Sequence, residues 1–238
     1  MSSSDPSIDQ RGYANPELLV STDWLADHLD DPGFRIVDCN FPGSFGKAHI
    51  PGAVPVSDNY YKGEDRIHVQ PAAEFEQTMS ALGISNETTV IAYDSDRGHF
   101  SPRLFWALQL YGHDRVKVLD GGFAKWSSEG RPVEQAARQY PPGDFTARGP
   151  QPVNALKDDI LSEIGDSKTV FWDVRADDEY SGENDRGTAR GGRIPGAVHL
   201  EWANLVTGGA VPVFKPGDEL RALLEEAGVT PDKNIVAY

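Results

Sequence analysis

The sequence predicts an α/β protein made of two repeats of one domain, each a mostly parallel sheet flanked by helices, the second repeat incomplete. The first observation behind this is duplication. His49-Ile50-Pro51-Gly52-Ala53-Val54 recurs as Arg193-Ile194-Pro195-Gly196-Ala197-Val198. Arg35-Ile36-Val37-Asp38 precedes the first copy, and Val170-Phe171-Trp172-Asp173-Val174-Arg175 precedes the second. Leu82-Gly83-Ile84 leads to Val90-Ile91-Ala92-Tyr93 as Ala227-Gly228-Val229 leads to Ile235-Val236-Ala237-Tyr238. Matched segments in one order at nearly constant offset mark a duplicated domain. The second observation is the alternation of short apolar runs with helical patterns inside each copy, which favours parallel strands joined by helical crossovers.

In the first copy, Ser21-Thr22 can cap a helix that carries Trp24, Leu25 and Leu29 on one face, ahead of a strand ending at Asp38. A second helix starts near Pro71, turns Phe75, Met79 and Leu82 inward and stops at Gly83. Val90 to Tyr93 reads as a buried strand, Pro102 to Tyr111 as a helix stopped by Gly112, and Val116 to Leu119 as a further strand. Asp120-Gly121-Gly122 opens a last helix with Phe123 and Trp126. In the second copy, Asn154 to Ile164 is the first helix, Val170 to Val174 the first strand and Glu219 to Glu226 the next helix, with Ile235 to Tyr238 matching Val90 to Tyr93. The domain plan is a flexible tail over 1–15, a first domain over 16–139, a Pro-rich linker over 140–152 and a second domain over 153–238. The second copy lacks the helix, strand and closing helix that come after Tyr93 in the first, so the chain reads as a fragment.

The net charge of -15 argues against nucleic acid or an anionic membrane as partner, and any anion site must be built locally against that field. The start, Met1-Ser2-Ser3-Ser4-Asp5-Pro6, has neither the basic patch nor the apolar stretch of a secretory signal, so the cytoplasm is the expected location. The single cysteine, Cys39, excludes an intramolecular disulfide. No basic group or helix-opening loop comes after it, so it reads as a small buried hydrophobe rather than a nucleophile.

With these motifs in order, the chain resembles the tandem-domain rhodanese family of thiosulfate and 3-mercaptopyruvate sulfurtransferases. The resemblance lies in Asp173-Val174-Arg175, Glu179-Tyr180-Ser181-Gly182 and Arg190-Gly191-Gly192-Arg193-Ile194-Pro195-Gly196-Ala197, with Val118-Leu119-Asp120-Gly121-Gly122-Phe123 in the first copy. Arg193 departs from it, standing where the family usually has histidine. The resemblance implies a catalytic cysteine directly after the second-copy strand, at the position after Tyr238, so this chain is expected to be inactive. It also implies transfer of sulfur from a small anionic donor to a thiol or cyanide through a cysteine persulfide, with no metal or organic cofactor. Asp94 is the first copy's equivalent of that cysteine, which would make the first domain catalytically silent, a wall for the cleft of the second. Phe41 and Phe100 would line that wall, the alternative being ordinary core packing. Arg186, with Arg190 behind it, would bind a donor carboxylate, the alternative being a loop arginine offsetting Glu183 and Asp185. Asp38, Asp173 and Arg175 read as strand-end brackets.

Three rivals remain. Asp94-Ser95-Asp96 after an apolar strand matches the start of an aspartate-nucleophile, magnesium-dependent phosphatase of the haloacid dehalogenase type, without the later acidic pair that chemistry needs. A cysteine phosphatase on the same fold is the second, and a non-catalytic binding or sulfur-relay module the third.

Overall fold

The computed structural model describes residues 7–41 and 43–238, and it divides into two compact units. One is built chiefly from Asn15–Asn154, the other from Ala155–Thr207 and Phe214–Tyr238. Residues 1–6 of the expected tail lie outside the described residues, but Asp9–Ala14 belong to the second unit rather than hanging free. There the Tyr13 hydroxyl donates to the carbonyls of Phe214 and Lys215 at 3.1 and 3.0 Å, and Gly217 N–H donates to Arg11 O at 2.6 Å. No helix among the described residues is long and apolar enough to cross a membrane.

In the first unit the strands are β1 (Leu19–Val20), β2 (Phe34–Asp38), β3 (Val54–Pro55), β4 (Thr89–Tyr93) and β5 (Val116–Leu119), in the order β1-β5-β4-β2-β3 with every pairing parallel. Helices α1 (Thr22–Asp27), α2 (Ala72–Ala81), α3 (Ser101–Leu110) and α4 (Gly122–Ser128) connect them. Covered on both faces, β4 is almost wholly apolar, as buried parallel strands tend to be, while β2 sets Ile36 and Val37 between Arg35 and Asp38. The two-residue pleat sorts their side chains. Ile36, Ile91 and Tyr93 join Leu25, Ile50 and Trp126 on one face, while Val37, Val90 and Ala92 join Phe75, Met79, Leu104 and Leu108 on the other. The helix starts match the sequence signals: Ser21 accepts from Trp24 N–H at 3.1 Å, and Pro71 caps α2.

The stretch 140–152 has no helix or strand, as a linker would not, yet it is packed onto the first unit. Phe145 is buried against Phe75, Arg148 N–H donates to Tyr111 O, and Gln151 N–H donates to Leu110 O at 2.7 Å. Gly143 permits this course, since a Cβ there would sit 2.0 Å from the carbonyl oxygen of Ile84. A Pro-rich composition records missing backbone donors, not missing contacts.

The second unit pairs β6 (Thr169–Asp173), β7 (Val198–His199) and β8 (Asn234–Ala237) in the parallel order β7-β6-β8. This reproduces β3-β2-β4 of the first unit, register included. Val37 faces Val54 and Ala92, as Trp172 faces Val198 and Ala237. Its helices are α5 (Lys157–Glu163), α6 (Asp177–Ser181) and α7 (Gly217–Glu226). α5 begins at Lys157 rather than Asn154, because the Asp159 carboxylate reaches back to Leu156 N–H at 2.8 Å and sets the start there. α6, where the sequence alone predicted no element, is a helix of 5 residues closed by Gly182 at φ 90°.

His113 supplies a pH-dependent element of the first unit. It is 4% exposed, its Nε2 lacks a partner, and burial holds its pKa below the ordinary 6.5. An imidazole depressed in the folded state contributes stability above the unfolded pKa and loses it as pH falls through the folded one. Thermal unfolding should therefore show stability falling as pH drops below 6.5, and His113→Gln should flatten that part of the profile. An unchanged slope in the variant would assign the dependence elsewhere.

Candidate functional site

Both units build the same bracket at the C-terminal ends of their strands. In the first, the Tyr93 hydroxyl donates to Asp38 Oδ2 at 2.7 Å and accepts Ile50 N–H at 3.2 Å, tying β4 to β2 and to the Ile50-Pro51-Gly52 loop. Burial, and then the Asp38 carboxylate, push the Tyr93 phenol far above its ordinary range, so it stays a donor. In the second, Tyr238 is hydrogen-bonded to Asp173 and accepts Ile194 N–H at 3.0 Å. Arg175 adds Nε and Nη2 contacts to Asp173 at 2.9 and 2.6 Å. Burial raises the Asp173 pKa, but the hydrogen bonds from Arg175 and Tyr238 outweigh it and the net shift is downward.

Beyond the first bracket lies the loop from Asp94 to α3. Asp94 is 2% exposed, and its carboxylate is wrapped by the loop that comes after it. Oδ1 accepts Asp96 N–H and Gly98 N–H at 2.8 and 3.0 Å; Oδ2 accepts Phe100 N–H, Ser101 N–H and Ser101 Oγ–H at 3.1, 2.7 and 2.6 Å. The last two donors sit at the start of α3, where the helix dipole also favours a negative charge. The loop can close this tightly because Arg97 and Gly98 take φ of 58° and 80°. Behind it, Phe123 N–H donates to Asp94 O at 2.9 Å, an approach that needs Gly122, where a Cβ would meet that oxygen at 2.1 Å. The arrangement is a locally built anion cradle, occupied by the protein's own carboxylate.

Two contributors were not picked out from sequence. Asn40 donates to Asp38 Oδ1 at 2.7 Å and accepts Ser95 N–H at 2.7 Å, joining bracket to loop. Ser101 supplies two of the Asp94 donors. The only available signals were the short spacings Asp38-x-Asn40 and Asp94 to Ser101, neither distinctive alone.

Phe41 and Phe100 meet edge to face on this strand-end surface, with ring centroids 4.7 Å apart. Phe41 is 62% exposed and so is not core, whereas Phe100 packs partly buried against the core of the first unit. With Cys39, Tyr60 and Arg103 they line a cavity of about 50 Å³. Cys39 is 6% exposed, and burial, then the charges of Asp94 and Asp38, push its thiol pKa well up. It is a neutral packing group, as its surroundings in sequence suggested.

In the second unit Arg186 stands at φ 52° and pairs with Glu179 Oε2 at 2.8 Å, not with Glu183 or Asp185. Glu179 is nearly buried and the Arg186 side chain is 69% exposed, so the guanidinium is held in place with much of its surface open. Arg190 lies in the same loop, its carbonyl accepting the Thr188 hydroxyl at 3.0 Å. Arg193 lies over the Tyr180 ring at 4.3 Å and donates to Tyr180 O, a packing use of the position.

Two parallel-sheet units with matching Tyr–Asp brackets at their strand ends, one feeding an anion cradle at a helix start, define a duplicated α/β protein whose candidate site lies at the carboxyl ends of the strands. The family model for the rhodanese-like domain matches residues 21–129 and 156–238, and the chain belongs to that family, the rhodanese-type sulfurtransferases. It is 37% identical over 241 residues to "Sulfur carrier protein TtuD" of Thermus thermophilus, covering 95% of this chain and 84% of that protein. It is 31% identical to "Putative thiosulfate sulfurtransferase" of Haloferax volcanii, covering 93% of this chain and 82% of that one. Among solved structures, SseA of Escherichia coli, a 3-mercaptopyruvate sulfotransferase, superposes with a TM-score of 0.81 at 30% identity, over 92% of this chain and 87% of SseA.

Asp94→Ala should test the cradle as a folding element. Stranding four loop N–H groups should cost about 2–4 kcal/mol, read as a lower urea midpoint with unchanged slope. A loss under about 0.5 kcal/mol would show that water satisfies the loop as well as the carboxylate does.

Proposed function

We propose that the chain carries the two domains, 16–139 and 153–238, of a sulfurtransferase that works through a cysteine persulfide. The donor is thiosulfate or 3-mercaptopyruvate and the acceptor a thiol or cyanide. The observation that supports this best is the repeated bracket. Tyr93 leads into the Asp94 cradle, and Tyr238 holds the equivalent strand end in the second unit. A cysteine at the position after Tyr238 would enter a loop of the same design, whose amides stabilise a thiolate and then a persulfide. The thiolate attacks the outer sulfur of thiosulfate; that S–S bond breaks, sulfite leaves with its electron pair, and a new S–S bond forms on the cysteine. The acceptor then takes the outer sulfur and frees the thiolate.

The first domain is silent on this reading, since a carboxylate at position 94 cannot hold sulfane sulfur. The chain of 238 residues is likewise inactive, because its single cysteine, Cys39, is buried and neutral. Arg186 binds the donor carboxylate, held ready by Glu179, with Arg190 assisting. The aspartate-nucleophile alternative is disfavoured because both Asp94 oxygens are already engaged by five donors. A sulfur-carrying module without turnover is the second reading, favoured by the name of the Thermus relative.

Intact mass after incubation with thiosulfate tests the proposal. The 238-residue chain should gain nothing, and a longer form with a cysteine directly after Tyr238 should gain one sulfur on that cysteine. Sulfur on Cys39, or none on the longer form, would overturn it. Release of that sulfur to cyanide over many cycles separates an enzyme from a carrier. In the active protein, Arg186→Gln should raise KM for 3-mercaptopyruvate roughly tenfold while leaving thiosulfate within about twofold, the signature of a lost carboxylate contact.

A further inference from the structure

The opposite end of the first sheet holds an arginine that no described carboxylate neutralises. Arg35, at the start of β2, is 9% exposed. Its Nη2 donates to Gly83 O at 3.1 Å, its guanidinium lies 3.3 Å from the centre of the Tyr140 ring, and its Nε–H has no acceptor. A desolvated cation without a counter-ion is costly, and a stacked ring offsets only part of that cost.

Arg35 and Tyr140 line a cavity of about 280 Å³. Arg138 stands over it, 45% exposed and paired with Glu134 at 3.1 Å and Asp30 at 3.7 Å. Asp30 and Asp31 form the acidic side of the rim; Asp30 is 92% exposed, and Asp31 Oδ1 accepts Gly33 N–H at 2.8 Å. Leu29 and other apolar side chains complete the wall. The cavity thus carries both signs of charge.

That mixture selects the ligand. A simple anion meets the rim carboxylates and a net charge of -15, and a simple cation meets two guanidinium groups. A small molecule bearing a carboxylate next to an ammonium satisfies both sides at once and is not repelled by the global field. We propose that this cavity binds a free α-amino acid with an apolar side chain. Its carboxylate lies toward Arg35 and Arg138, its ammonium toward Asp30 and Asp31, and its side chain along Tyr140 and Leu29. The site is independent of the sulfur chemistry, since β2 places Arg35 and the Asp38 bracket at opposite ends of one strand.

Calorimetric titration of the 238-residue chain with L-leucine, L-methionine and L-phenylalanine tests this, beside leucinamide and N-acetyl-leucine. At least one amino acid should bind, and removing either ligand charge should weaken it roughly tenfold or more. Arg35→Met should abolish binding; if that variant does not fold, Arg138→Gln and Asp30→Asn should each weaken it and decide the matter. No heat from any of the three amino acids would overturn the proposal. So would equal binding of N-acetyl-leucine, which would make this a plain carboxylate site, or binding indifferent to the Arg138 and Asp30 variants.

Discussion

The interaction on which the strand-end architecture depends is a tyrosine hydroxyl that donates a hydrogen bond to an aspartate and accepts one from the backbone N–H of an Ile-Pro-Gly loop. Tyr93 does this with Asp38 and Ile50, Tyr238 with Asp173 and Ile194. A phenol is suited to the post because burial and the neighbouring carboxylate keep it protonated, so its donor and acceptor faces are both defined. Parallel strands leave their carboxyl ends as loops with unpaired backbone groups, and without such a tie those loops would carry the flexibility of any surface connection. The bracket fixes where each strand stops, and therefore where the next residue points.

In the first copy the residue placed there is an aspartate. After Tyr93 comes Asp94, and the loop directs its amides at the chain's own carboxylate. In a protein of net charge -15, such a cradle must be made of short-range donors, because the long-range field opposes any anion. Neutral N–H groups and a helix start do this at contact distance. In the first unit the anion that such a cradle holds is part of the fold.

Much of the fold was legible because duplication supplied an internal check on every strand. β2, β4 and their partners β6 and β8 fell at the expected residues, and so did α1 and α2, whose ends carry Ser21, Pro71 and Gly83. The failures share a cause, which is reliance on composition where long-range contacts decide. Residues 9–14 looked like a tail and are tied by Tyr13 to Phe214 and Lys215. Residues 140–152 looked like a linker and bury Phe145. α5 starts at Lys157 because of where one side chain, Asp159, reaches.

By itself, the sequence determined the duplicated parallel α/β plan, the rhodanese resemblance and the place of Asp94 directly after the first copy's Val90–Tyr93 strand. These are local or periodic facts, written in neighbouring residues and in their repetition. Only the tertiary structure decided that Asp94 is saturated by five donors, that Arg186 pairs with Glu179, and that Arg35 lies buried without an acid among the described residues. Hydrogen bonds and ion pairs act over a few ångströms between side chains whose separation along the chain carries no signal. They become readable only when folding has set the distances.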